Sequence, residues 1–376
     1  MMKDILSVFS LPLWLIYLLS GLFPRDKTLV LFGVHTAALS GNVKALFLEE
    51  SDPRFRKIFL SDDPEHIRFL RAQGGEAYRR KSLRGIWYAL RGGTYIYSGF
   101  PSDIGFWLSK GAGYINLWHG TPLKHIERDV RKGRYGVKNR YRYLFRIFKP
   151  HLVTPPDLLL VSSEYERRCF GSAFGIPEQA MFKAYPPRLS GLLRQKERTL
   201  RKRTLLYAPT WRDDHSFRLS DYIDLRSFND FLKRTDLFFL VKLHPSDRNA
   251  AEESDEFSHI TFVAPQEDIY DYLPAVSLLV SDYSSMIFEA FYLNKPVVLF
   301  CPDAEDYREK SRDFYLDPCR ELPVSITRTQ KELERALRDA FSGTQANMSL
   351  PEALFRPYPP QEALLSKLLE RLHGEV

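Results

Sequence analysis

LLVSDYSSMIFEA, residues 278–290, passes from an apolar run into a serine-rich bend and then into a helix-like stretch. Leu278–Val280 reads as a strand that delivers Ser281 and Asp282. Ser284 or Ser285 can then cap a helix running through Met286–Leu293. The free N–H groups of such a first turn, together with the hydroxyls, suit a phosphate or pyrophosphate. Glu289 lies about one turn in, where a carboxylate can accept from ribose hydroxyls, and Asn294, Lys295 and Pro296 close the helix before the next apolar run. Serine caps are common in any α/β protein. The ordered set Asp282, Ser284, Ser285, Glu289 and Pro296 is what makes a ligand reading specific.

Outward from this stretch the same pattern recurs. Short apolar runs at 28–33, 57–60, 94–98, 114–118, 158–162, 204–208, 237–243, 260–263, 278–281 and 297–300 alternate with longer amphipathic segments. Near-continuous apolar strands separated by helices predict parallel sheets covered on both faces. The alternation breaks at 186–203, where Pro186 and Pro187 precede the charged stretch LRQKERTLRKR. That reads as a linker between two doubly wound, Rossmann-type halves. The expectation is an α/β protein of two such domains facing a ligand cleft, over 25–190 and 200–376, preceded by an apolar segment over 1–24. A chain of 376 residues agrees with two cores rather than one.

Two further stretches place a histidine just past a strand, where open α/β sheets hold their ligands. In NLWHGTPLK, residues 116–124, His119 follows the strand and Gly120 allows close approach to the backbone. A neutral imidazole there suits removal of a proton from an attacking hydroxyl, with Thr121 and Lys124 positioning the acceptor or steadying charge. In KLHP, residues 242–245, His244 ends the run FFLVKL, and a protonated imidazole can donate to an anionic oxygen. Upstream, YAPTWRD, residues 207–213, offers Arg212 as a further phosphate ligand. The three cysteines, Cys169, Cys301 and Cys319, show neither zinc nor disulfide spacing and suggest a reducing compartment.

The net charge of +7 is concentrated. Residues 124–149 hold ten Lys or Arg against Glu127 and Asp129, interleaved with Tyr135, Tyr141, Tyr143, Phe145 and Phe148. Such a segment suits nucleic acid, anionic lipid or an acidic substrate, the plain alternative being a solvated helix face. Its position after His119 favours a substrate or membrane role, with Arg140 and Arg142 as acceptor contacts. Residues 5–23 carry no charge, yet Pro12 and three serines weaken a bilayer-spanning reading, and no signal-peptide cleavage pattern follows. A helix lying in the membrane surface, with Trp14 and Tyr17 at the interface, is the expectation. A core helix packed on the C-terminal domain is the alternative.

WHGTPLK (118–124), YAPTWRD (207–213), KLHP (242–245) and SDYSS (281–285) occur here in an order that resembles the CDP-glycerol glycerophosphotransferase family, the alditol-phosphate transferases of teichoic acid and related capsule synthesis. PRDK at 24–27 with LVLFG at 29–33, then Gly41, Asn42 and Lys44, resembles the family's opening. Asp303–Tyr307 and RDFY at 312–315 resemble its late loop. ELPV at 321–324 and AYPPRL at 184–189 depart from the family pattern, and they bear on which alditol and acceptor are used. The resemblance implies a GT-B-like fold and a nucleotide held by the C-terminal domain. It also implies a site on the cytoplasmic face of the cell membrane and a lipid-linked saccharide or poly(alditol phosphate) acceptor. By the same resemblance His119 matches the family base, His244 the histidine on the donor pyrophosphate, and Asp282, Ser284 and Ser285 the pyrophosphate site, with Ser281 beside them.

The reaction expected on that basis is attack of an acceptor hydroxyl on the β-phosphorus of a CDP-alditol, CDP-glycerol before CDP-ribitol, with CMP leaving. No Asp-x-Asp occurs, so neither a metal nor another cofactor is expected. Two rivals remain. A nucleotide-sugar glycosyltransferase or epimerase would share the architecture, although Ser-Asp-Tyr-Ser-Ser stands where such epimerases carry a Ser-Gly-Gly type of loop. A nucleic-acid-binding protein would use the basic segment but leave both histidine stretches without a role, and no nucleic-acid recognition pattern occurs.

Overall fold

The computed structural model describes residues 10–34, 39–194, 199–210, 212, 217–243, 257–264, 267–310, 313–342 and 355–374. His244 and Pro245 of the second histidine stretch lie outside these residues. So do Trp211, Asp213, Arg312, part of the linker and residues 5–9 of the apolar front end. The chain divides into two compact units. The first is Met1–His119, Ile126–Gly191 and Leu354–Val376, and the second is Gly120–His125 and Leu192–Ala353.

The first unit is built on seven strands, β1 (Asp26–Gly33), β2 (Arg56–Ser61), β3 (Ala77–Arg79), β4 (Gly92–Tyr97), β5 (Gly113–Asn116), β6 (Leu158–Val161) and β7 (Met181–Lys183), in the order β3-β2-β1-β4-β5-β6-β7. All of the pairings are parallel. The order reverses at β1, as in a doubly wound sheet. Every residue of β4 is buried, because helices cover both faces. Val30, Phe32, Ile96 and Ile115 pack on one face, and Leu29, Leu31, Tyr95 and Tyr97 on the other. Three helices of this unit start where a short polar side chain satisfies a free N–H group. Asp63 accepts from Glu65, Ser82 from Gly85, and Ser163 from Glu166.

The helix Leu364–His373 belongs to this first unit, not to the C-terminal half as the boundary 200–376 had it. Leu364, Leu365, Leu368 and Leu369 form an apolar stripe that fills the core beside Val30 and Phe32. A Cβ at Gly113 of β5 would fall 2.5 Å from Leu372, so glycine admits the helix there. The expected linker is also partly structured, since a helix spans Pro187–Arg194.

Residues Ser10–Ser20 form a helix that packs on the first unit, with Tyr17 stacked on Phe106 and Trp14 edge-on to Trp107. The alternative packing on the C-terminal domain is therefore not found. Trp14 Nε1 donates to the Ile147 carbonyl at 2.6 Å, tying this helix to the basic-aromatic segment. Leu15, Ile16, Leu18, Leu19 and Leu22 remain exposed. Among the described residues no helix is long and apolar enough to cross a membrane.

The second unit carries β8 (Thr204–Ala208), β9 (Phe238–Val241), β10 (Ile260–Phe262), β11 (Leu278–Ser281), β12 (Val297–Phe300) and β13 (Ser325–Thr327), in the order β10-β9-β8-β11-β12-β13. It is again wholly parallel and reverses at β8. Tyr207, Phe228, Phe231, Phe239 and Phe300 dominate its core. Cys301 and Cys319 are thiols whose sulfurs lie 3.1 Å apart. Both units thus present the carboxyl ends of a strand pair at a reversal point, β1/β4 and β8/β11.

Candidate active site

His119 stands on a bend made by a costly backbone. The preceding Trp118 has φ +51°, a left-handed conformation that a bulky side chain adopts only when its surroundings enforce it. Those surroundings are visible. Asn116 Oδ1 accepts from the Trp118 N–H at 2.7 Å, and Asn42 Nδ2 donates to the Leu117 and Trp118 carbonyls at 2.8 and 3.2 Å. The Trp118 ring packs edge-on against Phe174, with centroids 5.1 Å apart. His119 itself is exposed, and its Nδ1 lies 3.1 Å from the Ser98 carbonyl. A carbonyl only accepts, so Nδ1 carries the proton and Nε2 carries the lone pair of the neutral ring. That is the tautomer and presentation a general base requires.

The turn that supplies Ser98 is itself held. Asp103 Oδ2 accepts from the N–H groups of Gly99 and Phe100 at 3.0 and 3.2 Å, and Asn116 Nδ2 donates to the Gly99 carbonyl at 3.2 Å. Asp103 is buried, and burial pushes its carboxyl up to about 7 against the two N–H bonds and the charge of Arg80. Ser98, Asn42 and Asp103 position His119, yet the sequence singled out only Asn42, and that through the resemblance. A buried asparagine at the start of the helix Gly41–Glu49 is the one signal that pointed here.

The stretch 116–124 read as one motif, but the structure divides it. Gly120–His125 belongs to the second unit. A Cβ on Gly120 would lie 3.2 Å from Ser285 Oγ, so glycine makes room for the serine bend. Thr121, expected to position the acceptor, is wholly buried. Lys124 Nζ donates to the Tyr307 hydroxyl at 2.8 Å, and the Lys124 backbone bridges Phe314. Tyr315 donates its N–H to Leu123, and His125 donates its own to Asp313. Lys124, expected as an acceptor contact, thus fastens the chain after His119 to the late loop.

Around β11 the roles also shift. Ser281 Oγ donates to the Ala208 carbonyl at 2.7 Å and ties β11 to β8. Asp282 is fully buried. Its Oδ1 accepts from the N–H groups of Thr210 and Tyr283, and its Oδ2 from Arg212 Nη1 at 2.9 Å. Arg212 is 6% exposed, and Asp303 takes its Nε and Nη2 at 2.9 and 3.1 Å. Nη1 also donates to the Thr210 carbonyl, and the guanidinium lies 4.6 to 5.2 Å from the rings of Tyr307, Phe217 and Tyr283. Burial alone would lower the Arg212 pKa; Asp282 and Asp303 outweigh it and raise it. The contacts the structure shows for Arg212, expected as a phosphate ligand, are all within the unit. With Nε and both terminal nitrogens bonded within the unit, Arg212 is a strut between the loops after β8, β11 and β12, and Asp282 is its partner. Asp303 was quoted only as part of the late loop.

The helix Met286–Tyr292 follows the serine bend. Ser284 Oγ accepts from the Met286 N–H at 3.3 Å, while Ser285 makes no side-chain cap bond. Both serines are part-exposed, and these hydroxyls remain the candidates for a donor phosphate. Glu289, expected at the ribose, is only 1% exposed. Among the described residues no group of three or more metal-ligating side chains occurs. Arg140 ends the helix Gly133–Arg140 on the surface, whereas Arg142 in the helix Arg142–Phe148 turns half inward.

Residues 15–354 match the model of the CDP-glycerol:poly(glycerophosphate) glycerophosphotransferase family. A teichoic acid poly(glycerol phosphate) polymerase of Bacillus spizizenii is 26% identical over 347 residues, 86% of each chain. A teichoic acid glycerol-phosphate transferase of Staphylococcus aureus is 29% identical over 252 residues, 62% of this chain and 64% of that one. Among solved structures, the wall teichoic acid polymerase TagF superposes with a TM-score of 0.69 at 21% identity, covering 90% of this chain and 86% of that one. That likeness concerns the fold, an α/β architecture of two parallel sheets.

Proposed function

We propose, for a chain that belongs to the CDP-glycerol:poly(glycerophosphate) glycerophosphotransferase family, that it is the enzyme transferring an alditol phosphate from a CDP-alditol to an acceptor hydroxyl. The donor of first choice is CDP-glycerol, and the acceptor is a lipid-linked saccharide or a growing poly(alditol phosphate) in teichoic acid or capsule-type synthesis. The observation that carries this reading is His119, exposed on a strained bend with Nδ1 on the Ser98 carbonyl. Nε2 takes the proton of the acceptor hydroxyl as its oxygen attacks the β-phosphorus in line. The bond from that phosphorus to the bridging oxygen breaks, and CMP leaves with the electron pair. The acceptor keeps the phosphoryl alditol.

The second unit is the donor side. The hydroxyls of Ser284 and Ser285 contact the pyrophosphate, and His244 supports it in the role implied by the family resemblance. The strut Arg212–Asp282–Asp303 keeps the bend in shape without touching the donor. The first unit is the acceptor side. Its helix Ser10–Ser20, with exposed leucines, and the neighbouring basic segment hold the protein peripherally on anionic lipid at the cytoplasmic face.

The test is CMP release from CDP-glycerol, with CDP-ribitol and UDP-sugars in parallel and a lipid-linked disaccharide or alditol-phosphate primer as acceptor, in excess chelator. Acceptor-dependent release, lost in His119→Ala, is expected. Turnover of UDP-sugars alone would leave the fold reading standing and overturn the chemistry.

A further inference from the structure

Beyond the carboxyl ends of β4 and β5 lies a pocket within the first unit, lined among others by Tyr97, Gly99, Asn116, Arg142, Thr154 and Phe174. Arg142 reaches it from the helix Arg142–Phe148 and fixes one end of its guanidinium by donating from Nη2 to the Val153 carbonyl at 2.8 Å. Its Nε and Nη1 are also buried, and neither has a hydrogen-bond partner among the described residues. The same holds for Nε of Arg128 and for the hydroxyl of Tyr97, a side chain 1% exposed. Burial weighs first against the Arg142 charge; Arg128 and Arg146 repel it, and Glu127 attracts it. The acid of the pocket wall, Glu127, already accepts from Lys138 Nζ at 2.9 Å.

Buried cationic donors without acceptors are costly, and the cost is relieved when an anion supplies the oxygens. Position identifies which anion. Gly99 follows Ser98, whose carbonyl orients His119, and Asn116 holds both the Gly99 carbonyl and the Trp118 N–H. The pocket and the base therefore share one turn. From this we infer that Arg142 holds a phosphate oxyanion of the acceptor, the one next to the hydroxyl that His119 deprotonates. The inference rests on the reaction proposed above and sharpens it. The preferred acceptor already carries an alditol phosphate at its growing end, and Arg142 determines that preference.

Two measurements on the full chain test it. In the first, sn-glycerol 3-phosphate is titrated by calorimetry without donor. Wild type binds, and Arg142→Gln weakens binding about tenfold or more, as expected for loss of a charged hydrogen-bonding partner. Arg142→Lys, which keeps the charge but loses the guanidinium fork, serves if Arg142→Gln does not fold, and it weakens binding by a smaller factor. In the second, a lipid-linked acceptor with one glycerol phosphate unit is compared with the same acceptor lacking it. Wild type favours the phosphorylated acceptor through KM, and Arg142→Gln abolishes the preference with the KM for CDP-glycerol unchanged. A preference that survives in Arg142→Gln and Arg142→Lys, or a wild type with none, overturns the assignment. Binding of glycerol phosphate lost in Arg142→Gln without any CMP release would uphold the pocket and refute the reaction. Acceptor-dependent CMP release indifferent to Arg142 would do the reverse.

Discussion

Replacing Arg212 with methionine keeps much of the side-chain length and removes the charge that two carboxylates face. Asp282 has 1% of its side chain exposed and Asp303 has 12%, so neither can recover much hydration. Breaking a buried pair from one side costs about 3–5 kcal/mol, because the remaining charge is left without compensation. Two carboxylates rather than one place Arg212→Met toward the upper part of that range. The second unit has the size for which each kcal/mol shifts Tm by roughly 2–4 °C, so its transition should fall by roughly 6–20 °C. The assay is calorimetric unfolding of wild type, Arg212→Met, Asp303→Asn and the double variant. Asp303→Asn removes one of the stranded charges, so the double variant should be more stable than the two single losses added together. A donor-ligand role predicts a different pattern, a raised KM for CDP-glycerol with unfolding near that of wild type. That outcome would refute the strut and restore the expectation drawn from the sequence.

Two further outcomes follow from the first unit. The Asp103 carboxyl is raised from 3.8 to about 7, so the folded state holds its proton through a range where the unfolded chain has lost it. Its contribution to stability is therefore present below about pH 4 and is lost as pH rises to about 7, on the order of 4 kcal/mol for the full shift. Arg80 and the N–H groups of Gly99 and Phe100 oppose the shift without cancelling it. Asp103→Asn should flatten the difference between pH 4 and pH 8 in denaturant titrations, and parallel profiles for the two proteins would reject the assignment. At the surface, Arg140→Glu with Arg146→Glu should weaken binding to anionic vesicles by about tenfold or more at low salt while binding to neutral vesicles stays the same. Unchanged sedimentation with anionic vesicles would remove the basic segment from membrane contact.

The sequence by itself determined the sheets. Runs such as LLVS at 278–281 and VVLF at 297–300 can be buried on both sides only in a parallel sheet, so apolar continuity was a sufficient signal. Three of the four edge strands, β3, β7 and β13, three residues each and partly exposed, carry too little apolar pattern to be read this way; the fourth, β10, was legible in Ile260, Phe262 and Val263. His119 and the serine bend were legible because a polar residue directly after a buried strand is a local feature. The return of Leu364–His373 to the first unit was not legible. An amphipathic stripe states that a helix must be covered and leaves open which distant sheet covers it. The same limit governed the charges. Arg212 and Arg142 are both arginines among aromatic residues in the sequence. Only the tertiary structure set Asp282 and Asp303 around the first and left two donors of the second without acceptors among the described residues. The role of a guanidinium is decided by the oxygens within 3 Å of it, and those come from residues tens of positions away.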